Sequence, residues 1–417
     1  MNEKKLEFDK QYCIFIDKSK IWKPKNIQEN IEKMLKFYKI IPIYNEMTKN
    51  LDVTIPDKFF TQDNCEELTL QFIYNLGLKH NFTGLNKDLI KSMILDVGDR
   101  YKYNPAKKYL DESYEKHKTY IQTNGISELK KLEETLETPL FDLNLKNMLI
   151  KKWLISCAEA VYCERGIASQ GVLLLQSEQG DGKTTWFKNL FPNKNWFGEG
   201  LTLDPSNKDS VSKAVGYWVC ELGEIGATLK KDLDILKSYI TNSVDVFRKP
   251  FAKGTSNFPR RTIFCGTVNN KNFLKDDTGN RRFWVIPVKS VNANHNLNLE
   301  KLWAEVVYLK NKGETWWLNR DELKALNESN RTFEEKNYID TLIEALFDWT
   351  KNDRYWLKSS DIFLELGAGK ELSATKIGTS LKKRKIEDKL LNGCSYYKMP
   401  KTKNHSKWEY KMVAEKT

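Results

Sequence analysis

The chain has 417 residues, 40% of them apolar, and a formal net charge of +12. That size and apolar content exclude a disordered chain and allow two to four domains of roughly 100–200 residues each, while the positive excess favours polyanionic partners, nucleic acid first. Seven scattered cysteines with no Cys-x-x-Cys, and four dispersed histidines, speak against a disulfide framework or a zinc cluster and fit a reducing, cytoplasmic setting.

The N-terminus lacks an apolar core of signal-peptide length, and no run approaches the ~18 apolar residues of a membrane span. Residues 1–100 read as a mainly helical accessory domain. Ile27, Ile31, Met34, Leu35 and Tyr38 recur at helical spacing after Pro24 and Asn26, and Leu68, Leu70, Phe72 and Ile73 form a second apolar stripe. Residues 101–165 read as a helical collar, whose apolar segment Leu145–Val161 is expected to pack on the next domain.

From about 166 to 300 the pattern changes to short apolar strands: Val172–Gln176, Tyr217–Cys220, Thr262–Gly266 and Phe283–Val288. Such runs between amphipathic stretches mark a parallel sheet covered on both faces. The first strand runs into Ser177-Glu178-Gln179-Gly180-Asp181-Gly182-Lys183-Thr184-Thr185. Glycines let backbone N–H groups point at an anion, a following helix adds partial positive charge, the lysine reaches the outer phosphates and the next hydroxyl holds Mg²⁺. Gly180, Asp181, Gly182, Lys183, Thr184 and Thr185 are therefore the expected ATP cradle. Ser177 stands where the pattern has its first glycine, which is tolerable if its backbone avoids left-handed space.

Three further clusters narrow the chemistry. Glu221 and Glu224 follow a strand; carboxylates there can hold Mg²⁺ and polarise water, Glu221 on the metal side with Thr184, and Glu224 as base. Asn269 ends a strand expected to lie between the phosphate loop and the acidic strand, where an amide can orient the attacking water. Arg281 and Arg282 open the strand Phe283–Val288, placed to neutralise transition-state charge. Between these lies a basic stretch, 246–261, containing Arg248, Lys249, Lys253, Arg260 and Arg261 and no acid. Proline, glycine and aromatics among its cations suggest a protruding hairpin that contacts single-stranded DNA through Arg248, Lys249 and Lys253.

Helices are expected at Leu302–Tyr308 and Tyr338–Trp349, within a connection spanning 301–350. The last segment, 351–417, reads as a winged-helix domain. Eleven basic residues in 376–411 face only Glu387, Asp388 and Glu409. Ser373 is placed to cap a helix with Ile377 and Leu381 inward and Lys376, Ser380, Lys383 and Arg384 outward. Two strands, Ser395–Met399 and Trp408–Met412, are expected around a turn at Lys401–Asn404. Lys376, Lys383, Arg384, Lys401 and Lys403 are the candidate contacts to duplex DNA.

The order of these blocks, ending in Gly279-Asn280-Arg281-Arg282-Phe283-Trp284, resembles the virulence-associated protein E family, AAA+ ATPases of phages and mobile genetic islands related to superfamily 3 helicases. Tyr103-Asn104-Pro105-Ala106 with Tyr109-Leu110 resembles the segment that opens the family's domain, and the resemblance runs from about 103 to 288. It departs at Ser177 and after Leu110, where a common Trp-Asp-Gly is missing. The resemblance implies a P-loop AAA+ core within a multi-domain α/β chain. It further implies a homo-oligomeric ring, hexameric by family habit, with ATP and Mg²⁺ between subunits. Lys183, Thr184, Glu221, Glu224 and Asn269 would act from one subunit and Arg281 or Arg282 from the next, while Lys249 and Lys253 line the pore. The activity so implied is a replicative DNA helicase with origin recognition by the C-terminal domain, working with or without a separate primase. The rival reading is a DNA-binding initiator whose ATP only switches assembly.

Overall fold

The computed structural model describes residues 6–16, 18, 20–223, 233–248, 254–274, 280–334, 338–366 and 373–403. These fall into two units, Met1–Thr332 and Phe333–Thr417.

The first unit begins with two hairpins that the helical expectation for residues 1–100 missed. Strand β1 (Cys13–Ile16) pairs antiparallel with β2 (Ile21–Pro24), and β3 (Ile41–Asn45) with β4 (Asn50–Thr54). Each strand is only four or five residues long, too short for alternation to stand out. The helices are α1 (Gln28–Phe37), α2 (Cys65–Lys79) and α3 (Lys87–Asp99). Ile31, Met34 and Leu35 turn inward on α1 as their spacing requires. On α2 the buried face is Thr69, Ile73, Leu76 and Gly77, so Leu68 faces out. The 3.6-residue repeat selects 69, 73 and 76 and not the run 68–73.

The collar follows as α4 (Pro105–Asn124), α5 (Glu128–Glu134), the short strand β5 (Leu136–Glu137) and α6 (Leu143–Tyr162). Asn104 caps α4 by accepting from the N–H groups of Ala106 and Lys107, and Pro105 fills the first helical turn, where no N–H partner is needed. Helix α6 packs on the sheet as expected, and the Trp153 indole donates to the Phe264 carbonyl at 3.0 Å.

The sheet is built from β6 (Val172–Gln176), β7 (Phe197–Leu201), β8 (Val219–Leu222), β11 (Ile263–Val268) and β12 (Phe283–Pro287). Between these in sequence come α7 (Lys183–Asn189), α8 (Lys208–Ala214), α9 (Leu233–Ile240), and the strands β9 (Val244–Phe247) and β10 (Ser256–Pro259). All five core strands are parallel, in the order β12-β6-β11-β8-β7. Strands buried on both faces need continuous apolar runs, and Val172 to Leu175 and Phe283 to Ile286 are each within 1% of full burial. The core also buries Trp186, Trp218 and Trp303, whose indole N–H groups reach Thr135, Cys157 and Leu190.

After the sheet come β13 (Ser290–Val291), paired with β5, then α10 (Leu299–Asn311) and α11 (Arg320–Asn330). Glu305 of α10 is fully buried and its carboxylate accepts from the N–H groups of Ser127, Glu128 and Leu129 at 2.8–3.0 Å. It thereby satisfies the open N-terminus of α5 from another helix.

The second unit is α12 (Tyr338–Leu346), β14 (Tyr355–Lys358), α13 (Ser359–Leu366), α14 (Ala374–Lys383), β15 (Asp388–Leu391) and β16 (Cys394–Met399), with antiparallel sheet order β14-β16-β15. It starts at Phe333 and not at 351, because Ile339, Ile343 and Phe347 seal its core. Ser373 caps α14, and Ile377 and Leu381 are fully buried, as the spacing required. The hairpin of β15 and β16 turns at Asn392-Gly393, with φ of 49° and 73°; the turn expected at Lys401–Asn404 runs beyond the described residues. The expected strand Trp408–Met412 lies outside the described residues.

Candidate functional site

The sheet's C-terminal edge carries the glycine-rich loop that joins β6 to α7. Gly180 and Gly182 have φ of 97° and 78°, values that a side chain disfavours, and Gly182 forms the N-terminal boundary of α7. Ser177 is absent from the residues with positive φ, and its N–H donates to Val268. The serine thus fits because its backbone avoids left-handed space. Lys183 folds across the loop: Nζ donates to Ser177 Oγ at 2.9 Å, to Ser177 O at 3.1 Å and to Glu178 O. Burial pulls the lysine's pKa down. Asp181 is half-buried and Thr185 exposed.

Glu221, 2% exposed near the end of β8, meets this loop directly. Thr184 Oγ1 donates to Glu221 Oε1 at 2.6 Å and Thr267 Oγ1 to the same oxygen at 3.3 Å, while the Gly200 N–H donates to Oε2 at 3.1 Å. Burial raises the carboxyl's pKa, and these three donors oppose the rise. The Gly200 contact depends on an irregularity in β7 between Gly198 and Leu201, which turns the Gly200 N–H toward the carboxylate. Gly223 keeps that approach open: a Cβ there would sit 2.6 Å from the Gly200 carbonyl. Thr267, Gly200 and Gly223 were not singled out from sequence. The repeated glycines of Phe197-Gly198-Glu199-Gly200-Leu201 are the available signal, since glycine within a strand marks a bulge or a close approach. Glu224 lies outside the described residues.

Strand β11 does lie between β6 and β8. Asn269 follows it at the same edge, exposed, its carbonyl accepting from Gln176 at 3.4 Å. Lys183, Thr184, Glu221 and Asn269 are therefore gathered at one edge.

Arg281 and Arg282 are not part of that gathering. They form a short 3₁₀ turn at the start of β12, and Phe283 pairs with Val172, the first residue of β6. A five-residue strand spans about 16 Å, so the arginines occupy the opposite edge from the glycine-rich loop of their own chain. Asn330, 1% exposed, fixes their turn by donating to the carbonyls of Asn280 and Phe283 at 3.0 and 2.9 Å. Arg281 is exposed; Arg282 is half-buried, its Nε without a hydrogen-bond partner among the described residues. Burial, with Arg281 beside it, lowers the Arg282 pKa. Asn330 was another residue missed, and a lone asparagine closing a helix carries no motif.

The basic stretch is a hairpin, β9 against β10, bracketing 248–255. Arg248 is exposed at its rising end, while Lys249 and Lys253 lie outside the described residues. Two of the five cations counted there are structural. Arg260 is fully buried and paired with Asp245, and it also donates to the carbonyls of Tyr239 and Ile240. Arg261 pairs with Glu46 at 3.2 Å.

In the second unit the expected DNA-facing set is rearranged. Lys376 is exposed on α14, and the Lys383 side chain is outside what is described. Ser380 turns inward to Asp340, and Arg384 pairs with Asp340 at 3.1 Å and Glu344 at 3.2 Å, which spends its charge within the unit. Lys401 Nζ lies 5.3 Å from the Tyr355 ring centre and Lys403 donates to the Glu344 carbonyl at 3.0 Å. Both follow β16, and the strand expected after them lies outside the described residues.

The model of the Virulence-associated protein E-like domain matches residues 120–335. The chain belongs to the virulence-associated protein E-like family. The family domain so defined contains both sheet edges, the basic hairpin and Asn330. Solved structures with some likeness include an A-form apo structure of the NrS-1 C-terminal region, at 13% identity over 88% of this chain and 98% of that one, with a TM-score of 0.42. Another apo structure of that region gives 12% identity, the same coverages and a TM-score of 0.39. A ligand-bound JCV helicase gives 11% identity over 65% of this chain and 84% of that one, with a TM-score of 0.26. No curated protein matches. No helix among the described residues is long and apolar enough to cross a membrane.

Proposed function

We propose that this chain is an ATP-driven replicative DNA helicase that assembles as a ring and translocates on single-stranded DNA. The observation that carries the reading is the division of the sheet: Lys183, Thr184 and Glu221 clustered at one edge, and an arginine pair about 16 Å away at the other. Such arginines serve a triphosphate only when it belongs to a neighbouring copy. The strand order β12-β6-β11-β8-β7, with the loop-bearing strand beside the centre, supports an AAA+ core. The helix–strand–helix–helix–strand–strand order of the second unit supports a winged helix suited to origin DNA.

The residues fit Mg-ATP. The Thr184 hydroxyl and the Glu221 carboxylate, 2.6 Å apart, form an oxygen-only donor set. Mg²⁺ is held this way by one or two protein oxygens plus substrate phosphates, and among the described residues no group of three or more metal-ligating side chains exists that would suggest a dedicated cage. Bound Mg²⁺ supplies charge neutralisation on the phosphate oxygens. Lys183 leaves its loop carbonyls for the outer phosphates, Thr184 and Glu221 hold the metal side, and Asn269 orients water on the exposed side of β11. Glu224 is assigned as base from its place after β8. A neighbour's Arg281 or Arg282 neutralises the charge that develops. Each turnover would then shift the hairpin carrying Arg248, Lys249 and Lys253 along the strand.

The test is ATP hydrolysis with and without single-stranded DNA, alongside unwinding of forks with 5′ or 3′ tails. DNA should stimulate turnover, and Lys183→Ala should lower it about 10²- to 10³-fold, the scale for removing one preorganised charge donor. Turnover indifferent to DNA, with forks left intact, would instead support the initiator reading, in which ATP switches assembly alone.

A further inference from the structure

The outer face of the C-terminal sheet carries chemistry that the reading above leaves unused. Strand register decides which side chains share it. Trp356 stands opposite Lys398, and Tyr396 stands between Lys358 on one side and Lys389 on the other. Tyr397 and Met399, the intervening positions on β16, are 1% and 0% exposed and fill the core. Tyr396 and Lys398 therefore project away from it. These five positions comprise two aromatic rings, three lysines and no acid.

The ammonium groups rest against the rings. Lys389 Nζ is 4.1 Å from the Trp356 ring centre and Lys398 Nζ 5.8 Å; Lys358 Nζ is 5.6 Å from that of Tyr396. Lys398 also meets Glu387 at 2.8 Å, an ion pair with both partners substantially exposed. Pairs of that kind are weak and screened, so a polyanion can displace them. Meanwhile the neighbouring helix α14 has turned Ser380 and Arg384 inward.

A duplex presents phosphates to such a face but keeps its bases stacked inside. Rings interleaved with lysines gain from both only where bases are unstacked. Trp356 and Tyr396 are diagonal neighbours, about 7–8 Å apart, room for two successive splayed bases. We propose that the outer face of β14, β16 and β15 binds single-stranded DNA, with bases stacking on Trp356 and Tyr396 and phosphates held by Lys358, Lys389 and Lys398. The site shares with the proposed function only the premise that DNA is the partner, and it requires no ATP turnover.

The experiment uses the full chain without nucleotide and measures the affinity of labelled oligothymidylate, the ribose equivalent and a blunt duplex by anisotropy across a salt series. Trp356→Ala and Tyr396→Ala should each weaken oligothymidylate binding by roughly 5- to 100-fold and change duplex binding little, while Trp356→Phe should keep most of the affinity. Replacing the three lysines by glutamine should flatten the log–log salt slope by about 2, near 0.7 per phosphate lost. Preference for the ribose oligomer would overturn the assignment to DNA. Equal loss of duplex and single-strand binding in the ring variants, or no loss in either, would overturn the stacking site. A helicase reading that failed on its own account would show as ATP turnover insensitive to DNA, with these nucleotide-free affinities unaffected.

Discussion

The two edges of the parallel sheet are built on opposite principles. At the C-terminal edge the two central charged groups are satisfied within the chain: Lys183 has three acceptors, and Glu221 has three donors. At the other edge Arg281 is exposed and Arg282 has a buried Nε with no partner among the described residues. Only the backbone of their turn is secured, by Asn330. A self-satisfied cluster can wait for a small ligand and exchange its internal bonds for new ones. A fixed turn presenting cations outward completes nothing by itself, and needs a surface brought to it.

Breaking the arginine edge should have the largest effect. If it serves a neighbour's triphosphate, Arg281→Ala or Arg282→Ala should reduce ATP turnover by about 10³- to 10⁵-fold for whichever residue is the finger, while leaving nucleotide affinity within a few fold. Mixing variant with unaltered subunits should depress turnover more steeply than the fraction of variant added. Activity that falls in proportion to dilution would show that each copy works alone, and the contrast between the edges would lose its functional meaning.

These edges also show what could be read from residues alone. The glycine-rich turn from β6 into α7 was legible because glycine, lysine and hydroxyl each have a positional job that few other residues perform. The sheet was legible because parallel strands must be apolar on both faces. The partners of Glu221 were not, since Thr267 and Gly200 become donors only through strand neighbourhood and an irregularity in β7. The basic stretch misled for a related reason. It counted no acid over 246–261, yet Asp245 stands one residue before it and neutralises Arg260 across the hairpin. A removal from either side of that fully buried pair would cost about 3–5 kcal/mol, so Arg260 belongs to the hairpin's foundation. In the second unit the hairpin turn was announced by Asn392-Gly393, the pair best suited to two successive positive φ angles. The second turn that the lysines suggested, at 401–404, leads into residues outside the description. Charge reports where a surface is, and backbone chemistry reports where a chain reverses.

A smaller effect sharpens the account of the self-satisfied edge. Burial raises the Glu221 pKa, so its ionised form is disfavoured in the folded chain relative to the unfolded one. The sign follows: stability from this group is fully present below the unfolded carboxyl pKa and is lost as pH rises through the raised folded value. Glu221→Gln removes the charge and keeps one acceptor oxygen for Thr184 and Thr267, while its amide nitrogen replaces the oxygen that accepts from the Gly200 N–H. Without nucleotide its melting temperature should exceed that of the parent at neutral pH, and the difference should vanish in acid, where both side chains are neutral. ATP turnover should be lost at every pH. A variant less stable than the parent at neutral pH would show that the three donors outweigh desolvation.

The smallest expected effect concerns Ser177, where the loop departs from glycine. Its hydroxyl accepts from Lys183 at 2.9 Å and donates to Glu178 O at 3.3 Å. Ser177→Gly therefore has two consequences of opposite sign. It releases one of three acceptors that hold Nζ against the loop, so the ammonium reaches a phosphate at lower cost and ATP affinity should rise by up to roughly fivefold, the scale of one modest hydrogen bond. It also frees the unfolded backbone, lowering stability by about 0.5–1 kcal/mol. Titration of a fluorescent ATP analogue and a thermal melt read the two separately. Tighter binding with a lower melting temperature would mark the serine as a latch on the lysine. Weaker binding would mean that the hydroxyl guides Nζ toward the phosphate, and that the edge is organised by its ligand more than by itself.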